Sequence, residues 1–291
     1  MNQLADSYIQ LLKKSLLNEL YIENELRILH TFHCMLNKLP LDYSHFFNIT
    51  KVQPYLLELV QESKLNGTMV VLGQHMPDGK NRPALELRNV TELSHTMVGR
   101  KRLDNLQYCM ETVLKDQIEG DFIETGIWRG GSCIFMRGFL LAHGVQNRIV
   151  WAADSFQGVP PPTWPEDAGI DISRKNLPIL VVPLPEVQGL FSRYGLLDEQ
   201  VRFLPGWFKD TLKTAPIEKL AILRLDGDLY ESTMDALNPL YDKVQPGGFI
   251  IVDDYEAVQP CKKAIHDFRA SRGIHDEIIT IDQYGVFWRK S

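Results

Sequence analysis

Two apolar runs in this chain, residues 220–225 and 249–252, each end in a pair of aspartates. If both runs are parallel strands of one sheet, their carboxyl ends meet at the same edge and bring four carboxylates together. Carboxylates at such short distances raise one another's pKa, so they cannot all ionise unless a cation or a proton joins them. The pattern therefore predicts a divalent metal site. The four residues are Asp226 and Asp228 after the first run, and Asp253 and Asp254 after the second.

Similar runs recur through the second half of the chain, separated by segments of helical length. Runs that are apolar throughout and alternate with helices indicate a parallel sheet covered on both faces. Right-handed crossovers then predict a doubly wound, Rossmann-like α/β fold. Near the carboxyl terminus two further runs flank a gap of hairpin length, so we expect a seven-stranded sheet with an antiparallel C-terminal hairpin. The runs lie at residues 121–124, 148–153, 201–204, 220–225, 249–252, 277–281 and 285–289.

The first part of the chain has a different pattern. Leucines and isoleucines recur at helical spacing from residue 8 to residue 66, with prolines as breaks, and residues 73–82 are polar and rich in turn formers. We expect residues 1–93 to form a helical N-terminal appendage and lid region without a sheet. Residues 94–291 would then form the α/β domain.

The composition indicates which kind of partner the protein binds and which cellular compartment it occupies. The formal net charge of -6 argues against a nucleic-acid-binding protein, which needs clustered lysine and arginine, so we expect a small-molecule substrate. Four cysteines without CxxC spacing indicate a reducing compartment. Because no apolar run approaches about 18 residues, we expect a cytoplasmic protein without a membrane span. The amphipathic N-terminal helices favour a homo-oligomer, a dimer, although they could instead cover the active site.

The first predicted strand of the α/β domain ends in a glycine-containing turn at residues 124–132. Glycines at a turn from strand to helix let the backbone approach a ligand closely, and the helix N-terminus favours electron-rich groups. The spacing ExGxxxGG differs from the GxGxxG dinucleotide motif, and a purely structural turn would also use glycine. The next strand ends in Asp154, which is placed to accept hydrogen bonds from the ribose hydroxyls of an adenosine cofactor. A helix N-cap is the alternative for Asp154.

Asp226 and Asp228 are two positions apart, so in an extended chain they point the same way, with Gly227 leaving room between them. Oxygen ligands in an open site suit Mg²⁺, which keeps positions for water or substrate. The alternative is a pair of ordinary turn aspartates at each strand end. Residues 158–171, rich in proline, are too long for an ordinary connection and indicate a lid or binding loop, with disorder as the alternative. Cys133 is expected to be a packing residue.

In several ordered stretches the chain resembles the macrocin O-methyltransferase family, whose members are metal-dependent class I methyltransferases that act on sugar hydroxyls of natural products. The similarity covers about residues 94 to 291, whereas the earlier residues match only in helical character. The stretches that carry it are residues 96–106, 124–132, 154–160, 203–208, 225–233 and 253–255.

The resemblance implies that S-adenosylmethionine is the methyl donor. It places Thr96 and Met97 over the cofactor, assigns Glu124 and Gly126 to the methionine part, and assigns Asp154 and Ser155 to the adenosine. The full set of residues expected to bind the cofactor is Thr96, Met97, Glu124, Gly126, Arg129, Gly130, Ser132, Asp154, Ser155, Trp207, Phe208 and Asp226.

The resemblance also implies that Asp226, Asp253 and Asp254 bind Mg²⁺, with Asp228 as the general base. The acceptor is expected to be a small hydroxylated molecule, glycosidic or phenolic. A catechol-type O-methyltransferase shares the cofactor and the metal and is the nearest alternative. An NAD-dependent oxidoreductase and a non-catalytic ligand-binding module are more distant alternatives.

Overall fold

The computed structural model describes residues 3–88 and 93–291, which fall into two compact units. The larger unit contains residues 3–9 and 104–291, and the smaller unit contains residues 10–88 and 93–103. A domain boundary between residues 93 and 94 stays a prediction. No helix among the described residues is both long enough and apolar enough to cross a membrane.

Helices dominate the first hundred described residues, as their periodicity predicts. Pro54 begins one of them at a position where its missing N–H costs nothing, and Gly67 ends the same helix with a φ of 64°. The elements are helices α1 (Gln3–Leu16), α2 (Ile22–Asn37), α3 (Tyr43–Phe47), α4 (Ile49–Val52) and α5 (Pro54–Asn66), strands β1 (Met69–His75) and β2 (Asn81–Arg88), and helix α6 (Arg100–Lys115).

Strands β1 and β2 pair as an antiparallel hairpin, so the expectation that the appendage holds no sheet is wrong. A two-stranded sheet is marginal by itself and needs an apolar surface to pack on. Val70 and Leu72 supply that contact, because they are buried against Leu26 and Val60 of helices α2 and α5. The turn-rich residues 73–82 therefore form the end of one strand, the turn and the start of the other.

The larger unit contains a single seven-stranded sheet, which confirms the predicted α/β class. The strand order is β5-β4-β3-β6-β7-β9-β8, with β9 antiparallel to both of its neighbours and the other pairs parallel. The elements are β3 (Asp121–Thr125), α7 (Gly131–Ala142), β4 (Val150–Asp154), α8 (Leu184–Arg193), β5 (Val201–Pro205), α9 (Phe208–Thr211), β6 (Leu220–Leu225), α10 (Tyr230–Leu240), β7 (Val244–Val252), α11 (Gln259–Arg272), β8 (Ile279–Thr280) and β9 (Val286–Arg289).

The central strands are buried on both faces, which explains their continuous apolar sequences. All six residues of β6 are buried, and Ile123, Leu223 and Ile250 lie in one cluster with Leu237 of α10 and Phe268 of α11. The connections after β3 and β6 lead to opposite sides of the sheet, and in this topology a cleft opens at the carboxyl ends of those two strands. The predicted site residues of the larger unit lie at or after the carboxyl ends of the five strands β3 to β7.

Candidate active site

Backbone pairing between the central strands continues one residue beyond their ends. The N–H of Asp226 donates to the carbonyl of Thr125 at 2.9 Å, and the N–H of Asp253 donates to the carbonyl of Leu225 at 2.9 Å. The loops that follow β3, β6 and β7 therefore start side by side. This register brings the aspartates after two different strands to one place, as the sequence predicts.

Three of these aspartates form a cluster that could hold a metal ion. One carboxylate oxygen from each of Asp226, Asp253 and Asp254 lies within 4.8 Å of the other two. A magnesium ion with metal–oxygen distances of about 2.1 Å places neighbouring ligand oxygens about 3 Å apart. Small side-chain rotations would therefore bring all three oxygens onto one ion. The donor set, oxygen atoms alone, is the one that Mg²⁺ prefers.

Asp228 lies beside this cluster in a constrained backbone conformation. Its φ is 59°, in the left-handed region that aspartate tolerates better than most residues, and its N–H donates to Oδ2 of Asp254 at 3.2 Å. A Cβ on Gly227 would lie 3.3 Å from the ring of Phe208 and 3.2 Å from Ser232. The loop that carries Asp228 is thus packed on one side and hydrogen-bonded to an aspartate of the acidic cluster on the other.

Arg224, inside strand β6, lies beneath the acidic cluster and is 2% exposed. Its Nη1 donates to Glu124 at 2.5 Å and to Asp226 at 2.6 Å, and its Nη2 donates to Asp253. The three carboxylates come from β3 and from the ends of β6 and β7. The guanidinium of Arg224 therefore neutralises part of the carboxylate charge. The sequence pattern had indicated only a metal ion or a proton for this purpose.

Burial and charge act in opposite directions on these groups. Burial raises the pKa of Glu124 to about 7, although Arg224 lowers it, and Asp226 raises it further. Burial also disfavours the charge on Arg224, but the carboxylates of Asp253, Asp226 and Glu124 outweigh it and raise the pKa of the guanidinium. When all three carboxylates are ionised, one guanidinium leaves an excess of negative charge that a further cation would neutralise.

Arg224 was missed by the sequence analysis, although the sequence contains a signal for it. The run at residues 220–225 reads Leu-Ala-Ile-Leu-Arg-Leu, with an arginine inside an otherwise apolar strand. A strand covered on both faces can bury a charged side chain only if that side chain is paired. The arginine itself therefore pointed to carboxylate partners on neighbouring strands.

The glycine turn after β3 is required by packing. A Cβ on Gly126, whose φ is 89°, would lie 1.7 Å from the carbonyl oxygen of Asp226. A Cβ on Gly130 would lie 2.9 Å from the ring of Phe191. The structural alternative thus accounts for both glycines, while their predicted contact with a cofactor stays a prediction.

Asp154 fixes the same turn from the neighbouring strand. Its Oδ2 accepts from the N–H of Ile127 at 2.8 Å and of Trp128 at 3.4 Å, and its Oδ1 accepts from the N–H of Phe156 at 2.7 Å. Burial raises the pKa of Asp154, and these donors offset part of the rise. The side chain of Ser155 bonds within its own loop, to Gly158 and Gln157. Ribose binding by Asp154 and Ser155 stays a prediction.

The other predicted cofactor residues are divided between the two units. Arg129 stacks over the ring of Trp128 at 4.6 Å, Ser132 is buried in the first turn of α7, and Trp207 immediately precedes α9. Thr96 and Met97 belong to the smaller unit, where the hydroxyl of Thr96 accepts from the N–H of Val98 at 3.4 Å. Their place over the cofactor stays a prediction.

The proline-rich loop is tied to the first turn of α10, which the sequence did not indicate. Asp167, fully buried, accepts from the N–H of Tyr230 at 2.7 Å and of Glu231 at 3.1 Å. The hydroxyl of Thr163 donates to the Glu231 carboxylate at 2.5 Å. Helix α10 follows the loop of Asp226 and Asp228, so these bonds connect the proline-rich loop to the acidic cluster.

A groove of about 400 Å³ lies at the opposite edge of the sheet, where β3, β4 and β6 begin. Glu119, Arg148 and Lys219 line it. None of the predicted site residues lies in this groove.

A doubly wound sheet with an antiparallel C-terminal hairpin and acidic side chains at its central strand ends defines an α/β enzyme domain of the methyltransferase type. Residues 5–290 match the model of the macrocin O-methyltransferase (TylF) family. The chain belongs to this family and is an O-methyltransferase. The match includes the N-terminal helices, so the similarity extends well beyond the expected residues 94 to 291.

Named relatives agree with this assignment. The chain is 55% identical over 203 residues to the mycinamicin III 3''-O-methyltransferase of Micromonospora griseorubida, covering 68% of this chain and 80% of that protein. It is 57% identical over 210 residues to the 8-demethyl-8-(2,3-dimethoxy-alpha-L-rhamnosyl)-tetracenomycin-C 4'-O-methyltransferase of Streptomyces olivaceus, covering 71% and 80%. The solved structure of the O-methyltransferase NovP is 41% identical, with a TM-score of 0.75 and 99% of both chains covered.

Proposed function

We propose that this enzyme transfers a methyl group from S-adenosylmethionine to a sugar hydroxyl of a natural product, and that it requires Mg²⁺. The observation that carries the metal requirement is the cluster of Asp226, Asp253 and Asp254, with one oxygen of each within 4.8 Å of the others. The sugar acceptor is supported by the rhamnosyl group in the name of the Streptomyces olivaceus relative.

The cofactor would lie across the carboxyl ends of β3 and β4. The turn after β3 leads directly into helix α7, whose N-terminal N–H groups favour electron-rich ligand atoms. Glu124 lies at this strand end, and its carboxylate, when ionised, would suit a ligand that carries a sulfonium and an ammonium group. The Asp154 carboxylate holds the turn in place by accepting from the N–H groups of Ile127 and Trp128.

The metal would be held by Asp226, Asp253 and Asp254. When bound, Mg²⁺ supplies Lewis acidity, which lowers the pKa of a coordinated hydroxyl group. Asp228 would take the hydroxyl proton while the acceptor oxygen bonds to the methyl carbon and the carbon–sulfur bond breaks, leaving S-adenosylhomocysteine. An alkyl hydroxyl is a weak nucleophile, so transfer without this base would be slow.

Methyl transfer from S-adenosylmethionine to glycosylated acceptors, followed by mass spectrometry, tests the reaction. We expect an increase of one methylene unit in mass, loss of activity with EDTA, and recovery with excess Mg²⁺. Activity that persists in EDTA for both the wild type and Asp254→Ala would contradict the metal requirement. Calorimetry that shows NADH binding but no S-adenosylmethionine binding would contradict the cofactor.

Asp228→Asn tests the base. Because asparagine keeps the size of the side chain but cannot accept a proton, we expect both substrates to bind with nearly unchanged affinity while kcat falls by about 100-fold or more. Asp242→Asn is a matched control, since Asp242 is exposed and pairs with Arg272 away from the cluster. An unchanged kcat for Asp228→Asn would remove the residue from this role.

A catechol-type reaction remains the second candidate, because a phenol could use the same donor and the same metal. The two differ in the acceptor alone. A panel that pairs each glycoside with its free phenolic aglycone would separate them. Methylation of the aglycone without its sugar would favour the phenolic reaction.

A further inference from the structure

The position of Arg224 relative to the acidic cluster has a consequence for metal binding. One planar guanidinium contacts three carboxylates that belong to three adjacent strands or strand ends. Two of them, Asp226 and Asp253, contribute to the metal cluster, whereas the third, Glu124, lies on the cofactor side. Given the magnesium site of the proposed function, we propose that Arg224 is a positioning residue that holds Asp226 and Asp253 in ligand geometry and couples them to Glu124.

The contacts are specific enough to orient the carboxylates. Arg224 donates hydrogen bonds to Oδ2 of Asp226 and Oδ1 of Asp253. It also donates to Oε1 of Glu124. A fixed partner on one oxygen limits the rotation of the whole carboxylate, which decides where its other oxygen points. The planar fork of arginine can do this for several carboxylates at once, whereas the single ammonium of lysine cannot.

The surroundings keep Arg224 in this position. The side chain is 2% exposed, Glu124 is 2% exposed, and every other residue of β6 is buried and apolar. Water therefore has little access to the pairs with Glu124 and Asp253, while Asp226 is 26% exposed. A buried cation that lost one partner would retain the cost of its desolvation. Glu124 is fixed in turn by the thiol of Cys133, whose sulfur lies 3.1 Å from Oε2. The network is therefore a rigid support beneath the metal ligands.

Arg224→Lys isolates the positioning effect. The substitution keeps the positive charge, so repulsion between residue 224 and Mg²⁺ is preserved while the simultaneous contacts are lost. We expect Mg²⁺ titrated calorimetrically into the full chain to bind about 10-fold or more weakly. Arg148→Lys is the matched control, because Arg148 is also buried and bonds to Gly120 and Ile118 at the opposite edge of the sheet. It should bind Mg²⁺ as the wild type does.

Glu124→Gln provides a second measurement that leaves Arg224 in place. Glu124 is one of the three carboxylates that fix the guanidinium, and a neutral amide holds Arg224 less firmly. Asp226 and Asp253 are then less well oriented, so we expect Mg²⁺ affinity to fall about 3-fold or more. If the coupling runs through Arg224, the same substitution should have a smaller effect in the Arg224→Lys background. Circular dichroism would confirm that each variant is folded.

The outcomes separate this inference from the proposed function. A wild type that does not bind Mg²⁺ contradicts the metal requirement itself. If the wild type binds Mg²⁺ and a folded Arg224→Lys variant binds it equally well, the proposed role of Arg224 is wrong. The metal requirement is unaffected by that result. If Arg224→Lys does not fold, an unchanged affinity in Glu124→Gln overturns it instead.

Discussion

Gly126 shows how closely the two loops of the site approach each other. A Cβ at this position would lie 1.7 Å from the carbonyl oxygen of Asp226, and the φ of 89° is unfavourable for any other residue. Glycine is therefore required by the contact between the ends of β3 and β6. Any larger residue would push the loop after β3 away from the loop after β6.

Gly126→Ala is expected to destabilise the protein by more than the typical value of about 1 kcal/mol for a point mutation. Gly189→Ala is the matched control, because Gly189 lies inside helix α8 with no atom within 4 Å of an added Cβ. Alanine there should stabilise the fold by about 0.5 to 1 kcal/mol. Urea unfolding of both variants measures the difference. Equal stabilities would show that the two loops can separate at little cost.

The raised pKa of Asp235 should make the free energy of unfolding depend on pH. Burial raises its pKa from 3.8 to about 6, Glu231 and Asp210 add to the rise, and Lys209 opposes it. The folded state therefore holds the Asp235 proton more tightly than the unfolded chain does. The resulting stabilisation is present in full below pH 3.8 and is lost as the pH rises through about 6.

Asp235→Asn should consequently raise Tm at pH 8. Because the side chain is only half-buried and solvent screens its charge, we expect a gain of at most about 1 kcal/mol. The gain should vanish below pH 3.8, where the aspartate is neutral in both states. Thermal melts across this range test the sign, with the exposed Glu199→Gln as the control. A gain that is independent of pH would contradict the assignment to Asp235.

At the level of elements, helix α10 depends on a carboxylate supplied from outside it. The residue that precedes the helix, Leu229, offers no capping side chain, and Asp167 accepts from two of the first N–H groups instead. These N–H groups have no partner within the helix, so a remote acceptor stabilises its first turn. The proline-rich loop is thereby part of the support of the helix that follows the acidic cluster.

Asp167→Ala is expected to cost about 1 to 2 kcal/mol, since two buried N–H groups lose their acceptor. Asp171→Ala is the matched control within the same loop, because Asp171 is exposed and bonds only to nearby residues. Differential scanning calorimetry compares the two. A larger loss for Asp171→Ala would show that the loop's own turns matter more than its bond to the helix.

At the scale of the whole molecule, the proposed metal site would link ion binding to folding. An unfolded chain has no preformed group of three carboxylates, so an ion that binds only the native state raises its stability. At about 100-fold above its Kd, such an ion contributes about 2.7 kcal/mol. We expect Mg²⁺ to raise Tm by several degrees in the wild type and to leave Asp254→Asn unchanged. Sodium chloride at matched ionic strength controls for screening, and an equal rise with sodium would contradict a specific site.

The predicted homo-dimer is a further property of the whole molecule. Its basis is the amphipathic pattern of the N-terminal helices, which a fold of one chain does not test. Light scattering of the purified protein would give the mass in solution. A mass near 33.4 kDa would identify a monomer.

The sequence by itself determined the order of the strands in the α/β domain, the parallel sheet with its antiparallel finish, and the placement of acids after two central strands. These features depend on local periodicity and on general rules of chain topology, which act over a few residues or a single connection. The grouping of the aspartates was predictable for the same reason, because Asp226 and Asp253 each follow a recognisable strand.

Only the tertiary structure decided the partners that join distant parts of the chain. Glu124 is 100 positions from Arg224, and Asp167 is 63 positions from Tyr230. The hairpin of β1 and β2 likewise depends on an apolar surface provided by helices α2 and α5. The strand register and the packing decide which of these distant side chains come into contact. Both exist only after the chain has folded, so no local sequence pattern specifies the contacts.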